Sequence, residues 1–508
     1  MTALLGIDAG TSRIKTVAYD TAGHRLEQAS EPVRNYAPKP GQSEQDMTET
    51  YDRVAATIEQ VCDCLDAEVG AVGVTGQGGG CWLIDEEGNP VRNAILWNDG
   101  RAADIIDTWR EDGTYRAYFD RLGDGPFPGM AVPILSWLDA NEPNALATAR
   151  TAFACKDWIR FRLTDRIGSD HSDASLLHFA PQTGSFDRSI ATLADVPALP
   201  TLEPTVHSPT TVVGAVTESA AAETGLPVGT PVVTGCMDVV ATALGSGAAN
   251  ETIGSAIVGT TLQTQMLTRE PAIVGPPVGY TLALGIDGMG LRAMGAMVGT
   301  GNLEWARTEI AGDATFEAVE RTARSAPPGS GGVLYHPYLS EAGEKAPFVD
   351  PNARAQFIGV SSDHGRQHLV RAVYEGVALA VRDCCEHLPD SPSCVAVAGG
   401  GSHSPLWCEL FAHCLDTEIS VPAGDEPGAR GAAMLAAVGT DTFPDVETAV
   451  GTFTSIDTYY RPDASLTGVY DALYEYYRTA VEAMGPVWET RSRTLERIHR
   501  ETSARSDE

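Results

Sequence analysis

The chain has 508 residues, 68 acidic against 35 basic side chains and a formal net charge of −33, a length that allows two or three domains with separate cores. Such a charge repels nucleic acid and anionic membrane surfaces and argues against both as partners. No apolar run reaches membrane-spanning length, and with four lysines only (Lys15, Lys39, Lys156, Lys345) the acidic surface points to a halophilic source, where salt screens self-repulsion.

From the N-terminus, apolar residues 4–7 break at Asp8-Ala9-Gly10-Thr11-Ser12, and period-two alternation resumes over 14–19. This is a hairpin pattern. Gly10 lets the backbone reverse, and Thr11 and Ser12 place hydroxyls beside turn N–H groups, so the turn can cradle phosphate oxygens. Taken alone it is also the turn of an ordinary hairpin. Met1 leads straight into this strand, so no secretory leader is expected. The ten cysteines show no metal-ligand spacing and are expected to be free thiols of a reducing cytoplasm.

A polar connector (31–45) leads to a helix near 48–65. A strand at 71–75 then enters Gly76-Gln77-Gly78-Gly79-Gly80, and a second strand follows at 81–85. A dinucleotide fingerprint needs a helix after its glycines, so a nicotinamide enzyme is excluded. Residues 94–96 form a short strand that ends in Trp97, Asn98 and Asp99.

The stretch VVTGCMDVV (232–240) is an apolar run that breaks at Gly235 and resumes with helical spacing, which puts Asp238 at the carboxyl end of a strand. Open α/β folds keep their ligands there; a helix N-cap is the competing role for a single Asp. Ala256-Ile257-Val258 then leads into Gly259-Thr260-Thr261 and a further alternation. Two phosphate-type hairpins half a chain apart suggest a duplicated nucleotide-binding lobe with a cleft between the copies. No Gly-x-x-x-x-Gly-Lys-Ser/Thr segment occurs, which excludes a P-loop kinase. Further on, apolar residues at helical spacing mark a helix over 366–388. A strand at 394–398 meets Gly399-Gly400-Gly401, and Ser404-Pro405 opens a helix. An aromatic helix lies around 470–477, and the end after 489 reads as a solvated helix or frayed tail.

With these features the chain resembles the FGGY carbohydrate kinases of the actin/hexokinase/Hsp70 superfamily. KDWIRFRLTD (156–165) is similar to the family's first signature. AQFIGVSSDHGRQHLVRAVYE (355–375) fits the second at every fixed position, including the seven-residue spacer between Val360 and His368. The resemblance spans roughly residues 1–445 and implies an α/β fold of two duplicated actin/hexokinase-like (ribonuclease H-like) lobes. It assigns 1–242 to sugar or polyol and phosphate binding, 243–445 to ATP binding and 446–508 to a C-terminal helical extension.

The resemblance implies an ATP- and Mg²⁺-dependent kinase with Asp238 as the base. As a carboxylate at a helix N-terminus, Asp238 is expected to be biased toward ionisation. Asp8 is the Mg²⁺-side carboxylate, acting through water. Thr11, Ser12, Gly259, Thr260 and Thr261 contact phosphates, and Lys15 either assists or pairs within its strand. Gly399, Gly400 and Gly401 resemble the adenosine loop, and Thr300, Gly301 and Asn302 a second nucleotide-side loop.

For the acceptor, Gln77, Gly78, Gly79, Trp97, Asn98 and Asp99 join Asp238. Where D-xylulose kinases carry Met-His and glycerol kinases Arg-Glu, this chain has Gly78 and Gly79, a loop more similar to those of L-xylulose and erythritol kinases. That loop is expected to offer backbone groups and room. Segments 94–102 and 343–359 read like xylulose kinases. Xylulose is therefore the expected substrate, with erythritol, a pentitol or glycerol as alternatives. A catalytically silent sugar-sensing protein would have lost Asp238 or a phosphate hairpin, and both are intact. The expected partner is a small sugar or polyol; a cytoplasmic location is expected, and a homodimer is compatible with the sequence.

Overall fold

The computed structural model describes residues 2–269, 271, 273 and 275–506. Two compact units interleave along the chain: Met1–Glu251, Met266–Arg292 and Ala423–Ser455 form the first, and Thr252–Gln265, Ala293–Pro422 and Ile456–Glu508 the second.

In the first unit, β1 (Thr2–Ala9), β2 (Arg13–Tyr19) and β3 (Arg25–Pro32) form an antiparallel meander. Helix α1 (Met47–Cys64) starts at Asp46, whose carboxylate accepts the Thr48 and Glu49 N–H groups, the usual satisfaction of orphan donors at a helix start. β4 (Glu68–Gly76) then pairs parallel to β1. After α2 (Cys155–Thr164) come β5 (Val212–Ala215) and β6 (Pro231–Val233), antiparallel to each other, with β6 parallel to β4. The sheet order is β5-β6-β4-β1-β2-β3. β7 (Cys236–Met237) is a two-residue strand parallel to the end of β4, and α3 (Asp238–Gly245) follows it. Gly235 sits at φ +73°, and a β-carbon there would lie 1.8 Å from the Val74 carbonyl oxygen. Only glycine fits this turn.

The second sheet repeats the plan. β8 (Ile253–Val258) and β9 (Leu262–Arg269) form a hairpin, β10 (Met289–Ala296) flanks β9, and α4 (Arg366–Cys385) precedes β11 (Cys394–Ala398). α5 (Pro405–Leu415) has Ser404 as its cap, with its hydroxyl accepting the Trp407 N–H at 3.3 Å. β12 (Glu418–Pro422) is next. With the edge strand Tyr280–Ala283 beside β10, the order continues β10-β9-β8-β11-β12 and ends on β13 (Ile456–Tyr460). β8/β11 and β11/β12 are parallel and β12/β13 antiparallel. The centres of the two sheets share one plan, β3-β2-β1-β4-β6 matching β10-β9-β8-β11-β12, while their edges differ: β5 precedes β6 in the chain, whereas β13 follows β12.

Between β12 and β13 the chain returns to the first unit as α6 (Pro427–Gly439). A β-carbon on Gly6 would lie 1.8 Å from the Ala429 carbonyl oxygen and one on Gly73 2.0 Å from that of Ala432. Glycines in β1 and β4 thus let α6 lie with its backbone against the sheet. Helix α7 (Thr467–Ser506) buries Tyr470 and Tyr477 in the second unit's core, while residues 489–502 are almost wholly exposed. All ten cysteines are free thiols, six of them buried.

Candidate active site

In the first unit, Asp8 stands near the end of β1 and Asp238 opens α3. The Asp238 carboxylate accepts the Val239 N–H at 2.7 Å and also the Gly78 N–H. Asp238 keeps partial contact with solvent, yet the protein packed around its carboxyl pushes its pKa up to about 7, with Asp8 adding to the rise. The expected bias toward ionisation from the helix N-terminus is therefore corrected: loss of hydration outweighs two backbone N–H donors. Burial likewise lifts Asp8 to about 6, opposed by Lys15 and reinforced by Glu426. Lys15, the cross-strand partner of Asp8, forms an ion pair with Glu426 at 2.6 Å. A β-carbon on Gly428 would lie 2.5 Å from Asp8 Oδ2, so the missing side chain leaves space at that oxygen.

The expected acceptor and phosphate residues around them form one relay. The Trp97 indole N–H donates to the Thr11 hydroxyl at 2.9 Å, and that hydroxyl donates to Gln77 Oε1 at 3.0 Å. Gln77 Nε2 donates to Gln45 Oε1 at 2.9 Å, and Gln45 Nε2 donates back to the Thr11 carbonyl at 2.9 Å. Gln77 is buried. Thr11 and Gln77, expected to meet phosphate and sugar, instead lock the hairpin turn to the glycine loop.

Asp99 is corrected too. Its Oδ1 accepts the Arg101 backbone N–H and Nε, each at 2.8 Å, and its Oδ2 accepts the Ser43 N–H at 2.6 Å and an Arg101 Nη at 2.9 Å. With every acceptor position filled it holds a loop and offers nothing to a sugar. Arg101 also reaches Glu44 at 2.7 Å, and Glu44 pairs with Arg92. Asn98 and Ser12 are exposed.

The glycine loop is packed rather than roomy. A β-carbon on Gly78 would lie 2.1 Å from Met237 Cε, and Gly79 has φ +72° with the Trp97 β-carbon 3.3 Å from where its own would be. The expectation of open space at these glycines is thus replaced by tight packing against Met237 and Trp97.

In the second unit the candidate nucleotide residues converge. The Thr300 N–H and hydroxyl donate to the Gly259 carbonyl at 2.7 and 3.0 Å, and the Gly299 N–H donates to that of Thr260 at 2.8 Å. Gly399, at φ +85°, and Gly401 lie against Val258, and a β-carbon on Gly400 would be 3.7 Å from the Thr300 methyl. Gly399, Gly400 and Thr260 are exposed. Asn302 is buried: its Nδ2 donates to the Val298 and Gly299 carbonyls and its Oδ1 accepts the Tyr335 hydroxyl. Buried in this way, it fixes the Thr300–Gly301 turn from behind. Glu344 braces the same loop by accepting the Met297 N–H at 3.0 Å, and burial pushes its pKa up to about 7.

Sequence reasoning missed a buried charge cluster in the first unit. Lys156 Nζ lies 2.5 Å from Asp157, 2.9 Å from Asp170 and 3.1 Å from Asp173, with Arg160 at 3.9 Å from Asp157. These side chains are almost completely buried. Burial disfavours the ammonium, but the three carboxylates more than offset it and hold Lys156 charged. Burial and the neighbouring carboxylates push Asp173 well above the usual carboxylate range. The signal was present in the paired Lys156-Asp157 and the Asp170–Asp173 spacing, but only the fold joins segments that far apart.

Comparison with known proteins extends these observations. The description "FGGY family of carbohydrate kinases, N-terminal domain" matches residues 3–245, and its C-terminal counterpart matches residues 254–440. An erythritol kinase from Brucella abortus is 32% identical over 510 residues, covering 96% of this chain and 97% of its own. A xylulose kinase from Staphylococcus epidermidis is 30% identical over 494 residues, with 93% and 95% covered. The crystal structure of a ligand-bound xylulose kinase from Lactobacillus acidophilus superimposes with a TM-score of 0.91 at 22% identity, over 96% of this chain and 100% of that one, a likeness of fold.

Proposed function

The chain belongs to the FGGY family of carbohydrate kinases, and from that premise we propose that it transfers the γ-phosphoryl group of ATP to a hydroxyl of a four- or five-carbon ketose or polyol, with xylulose first. The observation that carries this reading is the pairing of Asp8 and Asp238 in one unit, with Asp8 raising the proton affinity of Asp238 beside the Gly78 N–H. Erythritol is the second reading, favoured by the 32% identity to the Brucella erythritol kinase.

Phosphoryl transfer needs alignment and charge neutralisation more than covalent chemistry. Asp238, with a pKa pushed up to about 7, is poised to take the acceptor hydroxyl's proton near neutral pH. Val239 and Gly78 N–H groups aim its carboxylate. The Trp97–Thr11–Gln77 relay keeps the loop beside it rigid, and Trp97 can face the sugar with its ring. On the nucleotide side, Thr260 and Thr261 offer hydroxyls and turn N–H groups to phosphate, and exposed Gly399–Gly400 backbone suits a flat adenine. Asp8 fits Mg²⁺: it is a hard oxygen donor with space at Oδ2 opposite Gly428, and Mg²⁺ keeps most of its ligands as water and phosphate. When bound, the ion supplies positive charge against the transferring phosphoryl group.

An ATP-consumption screen of the purified protein across D- and L-ketopentoses and C3–C5 polyols, at high KCl, tests the proposal. Activity on a xylulose isomer, with some on erythritol and little on glycerol, is the expected pattern. Strict specificity for glycerol, or no turnover with any acceptor, would overturn it.

A further inference from the structure

We propose that Ser172, held by Asp170 and Lys156, is a positioning residue for the catalytic carboxylate Asp238, an inference that rests on the role of Asp238 proposed above. Asp238 follows β7, a strand of two residues whose ladder to β4 covers Thr75 and Gly76 alone. So short a strand has few bonds of its own to fix the residue that comes next.

Side chains supply the rest. The Thr75 hydroxyl donates to the Cys236 carbonyl at 2.6 Å, and the Met237 N–H donates to the Ser172 hydroxyl oxygen at 2.9 Å. Met237 is the residue directly before Asp238. The Ser172 hydroxyl has a single proton, and it goes to Asp170 Oδ2 at 2.5 Å. That leaves only lone pairs to face Met237, so the hydroxyl acts purely as an acceptor there. Asp170 Oδ2 also takes the Ser172 backbone N–H at 2.7 Å, and Asp170 Oδ1 takes the Asp173 N–H at 3.3 Å and lies 2.9 Å from Lys156 Nζ. The ammonium thus holds Asp170 in place, Asp170 orients Ser172, and Ser172 pins the peptide that carries Asp238. Ser172, Asp170 and Lys156 are all fully buried, where such bonds are strong and a missing partner is costly.

A purely structural role would show as lost stability, or as an equal weakening of every step. A positioning role predicts a loss in turnover that depends on Asp238. Ser172→Ala should lower kcat about 10- to 100-fold, the scale of a small misplacement of a reacting group, with KM for ATP within about twofold of wild type. In an Asp238→Asn background the same substitution should cost less than about twofold more, because residues that act as a unit are not additive. If Ser172→Ala does not fold, the near-isosteric Ser172→Cys, a weak acceptor in the same volume, is measured in the same way. Wild-type kcat in the folded variant, or a full multiplicative loss in the Asp238→Asn background, would overturn the inference while leaving the role of Asp238 intact. Undiminished turnover in Asp238→Asn alone would overturn the role of Asp238 and the inference with it.

Discussion

The side chain of Met237 occupies the place that a side chain at Gly78 would need: a β-carbon there would lie 2.1 Å from Met237 Cε and 2.4 Å from its sulfur. The two residues flank Asp238 in space, Met237 through the chain and Gly78 through its N–H bond to the carboxylate. The absent side chain in the glycine loop is therefore matched by one that fills the gap from the neighbouring strand.

Gly78→Ala should consequently displace Met237 and disturb Asp238, and Met237→Ala should relieve it. We expect Gly78→Ala to lower kcat/KM, and the double variant Gly78→Ala/Met237→Ala to recover part of the loss, a coupling of about 0.5–3 kcal/mol in a double-mutant cycle. Independent, additive effects would show that the contact is irrelevant. His at Gly79, the D-xylulose kinase residue, should destabilise the fold by about 1–3 kcal/mol because φ is +72° there.

Asp238→Asn should reduce turnover by about 10²–10⁴-fold while ATP binding persists, measured by steady-state kinetics and calorimetry. The pH dependence follows from the sign of the shift. Transfer needs the ionised carboxylate, and the folded-state pKa is raised to about 7, so kcat should fall as pH drops below that value. Between the unfolded value of 3.8 and about 7 the folded state binds more protons than the unfolded, so this group's contribution to stability decreases as pH rises. Asp238→Asn should remove that slope and raise Tm at pH 8.

Asp8→Asn should raise the Mg²⁺ concentration for half-maximal activity, since Asn is a weaker, neutral oxygen donor. An unchanged Mg²⁺ titration would count against a metal role for Asp8.

Asp99→Ala should act on stability rather than on specificity. It leaves the buried Arg101 guanidinium with Glu44 as its one remaining carboxylate, and breaking such a pair costs about 3–5 kcal/mol. Thermal unfolding reads the loss. A variant with wild-type Tm and altered acceptor preference would return Asp99 to the acceptor site.

Tm should rise with KCl from dilute to molar concentrations, because a net charge of −33 repels itself less when screened. A flat profile would remove the halophilic reading.

Local patterns in the sequence determined much of this protein. The hairpins at Asp8–Ser12 and Gly259–Thr261, the turn at Gly235, the Ser404-Pro405 helix start and the strand-then-glycine order at Gly399 were all legible, because turn chemistry and apolar period act over a few residues. The family followed from two signatures. Only the tertiary structure decided the state of the polar groups. The Asp238 carboxyl is pushed up to about 7 because the protein packed around it strips its water, which no helix-end argument contains. Thr11, Gln77, Asp99 and Asn302 look like ligands in sequence, yet partners as far as 86 residues away already occupy them. Lys156 finds two of its three carboxylates, Asp170 and Asp173, in the short strand and helix that follow its own helix, and α6 packs on the first sheet from a segment inserted between β12 and β13. Desolvation and hydrogen-bond satisfaction are sums over everything that packs around an atom, and that sum exists only once the chain has folded.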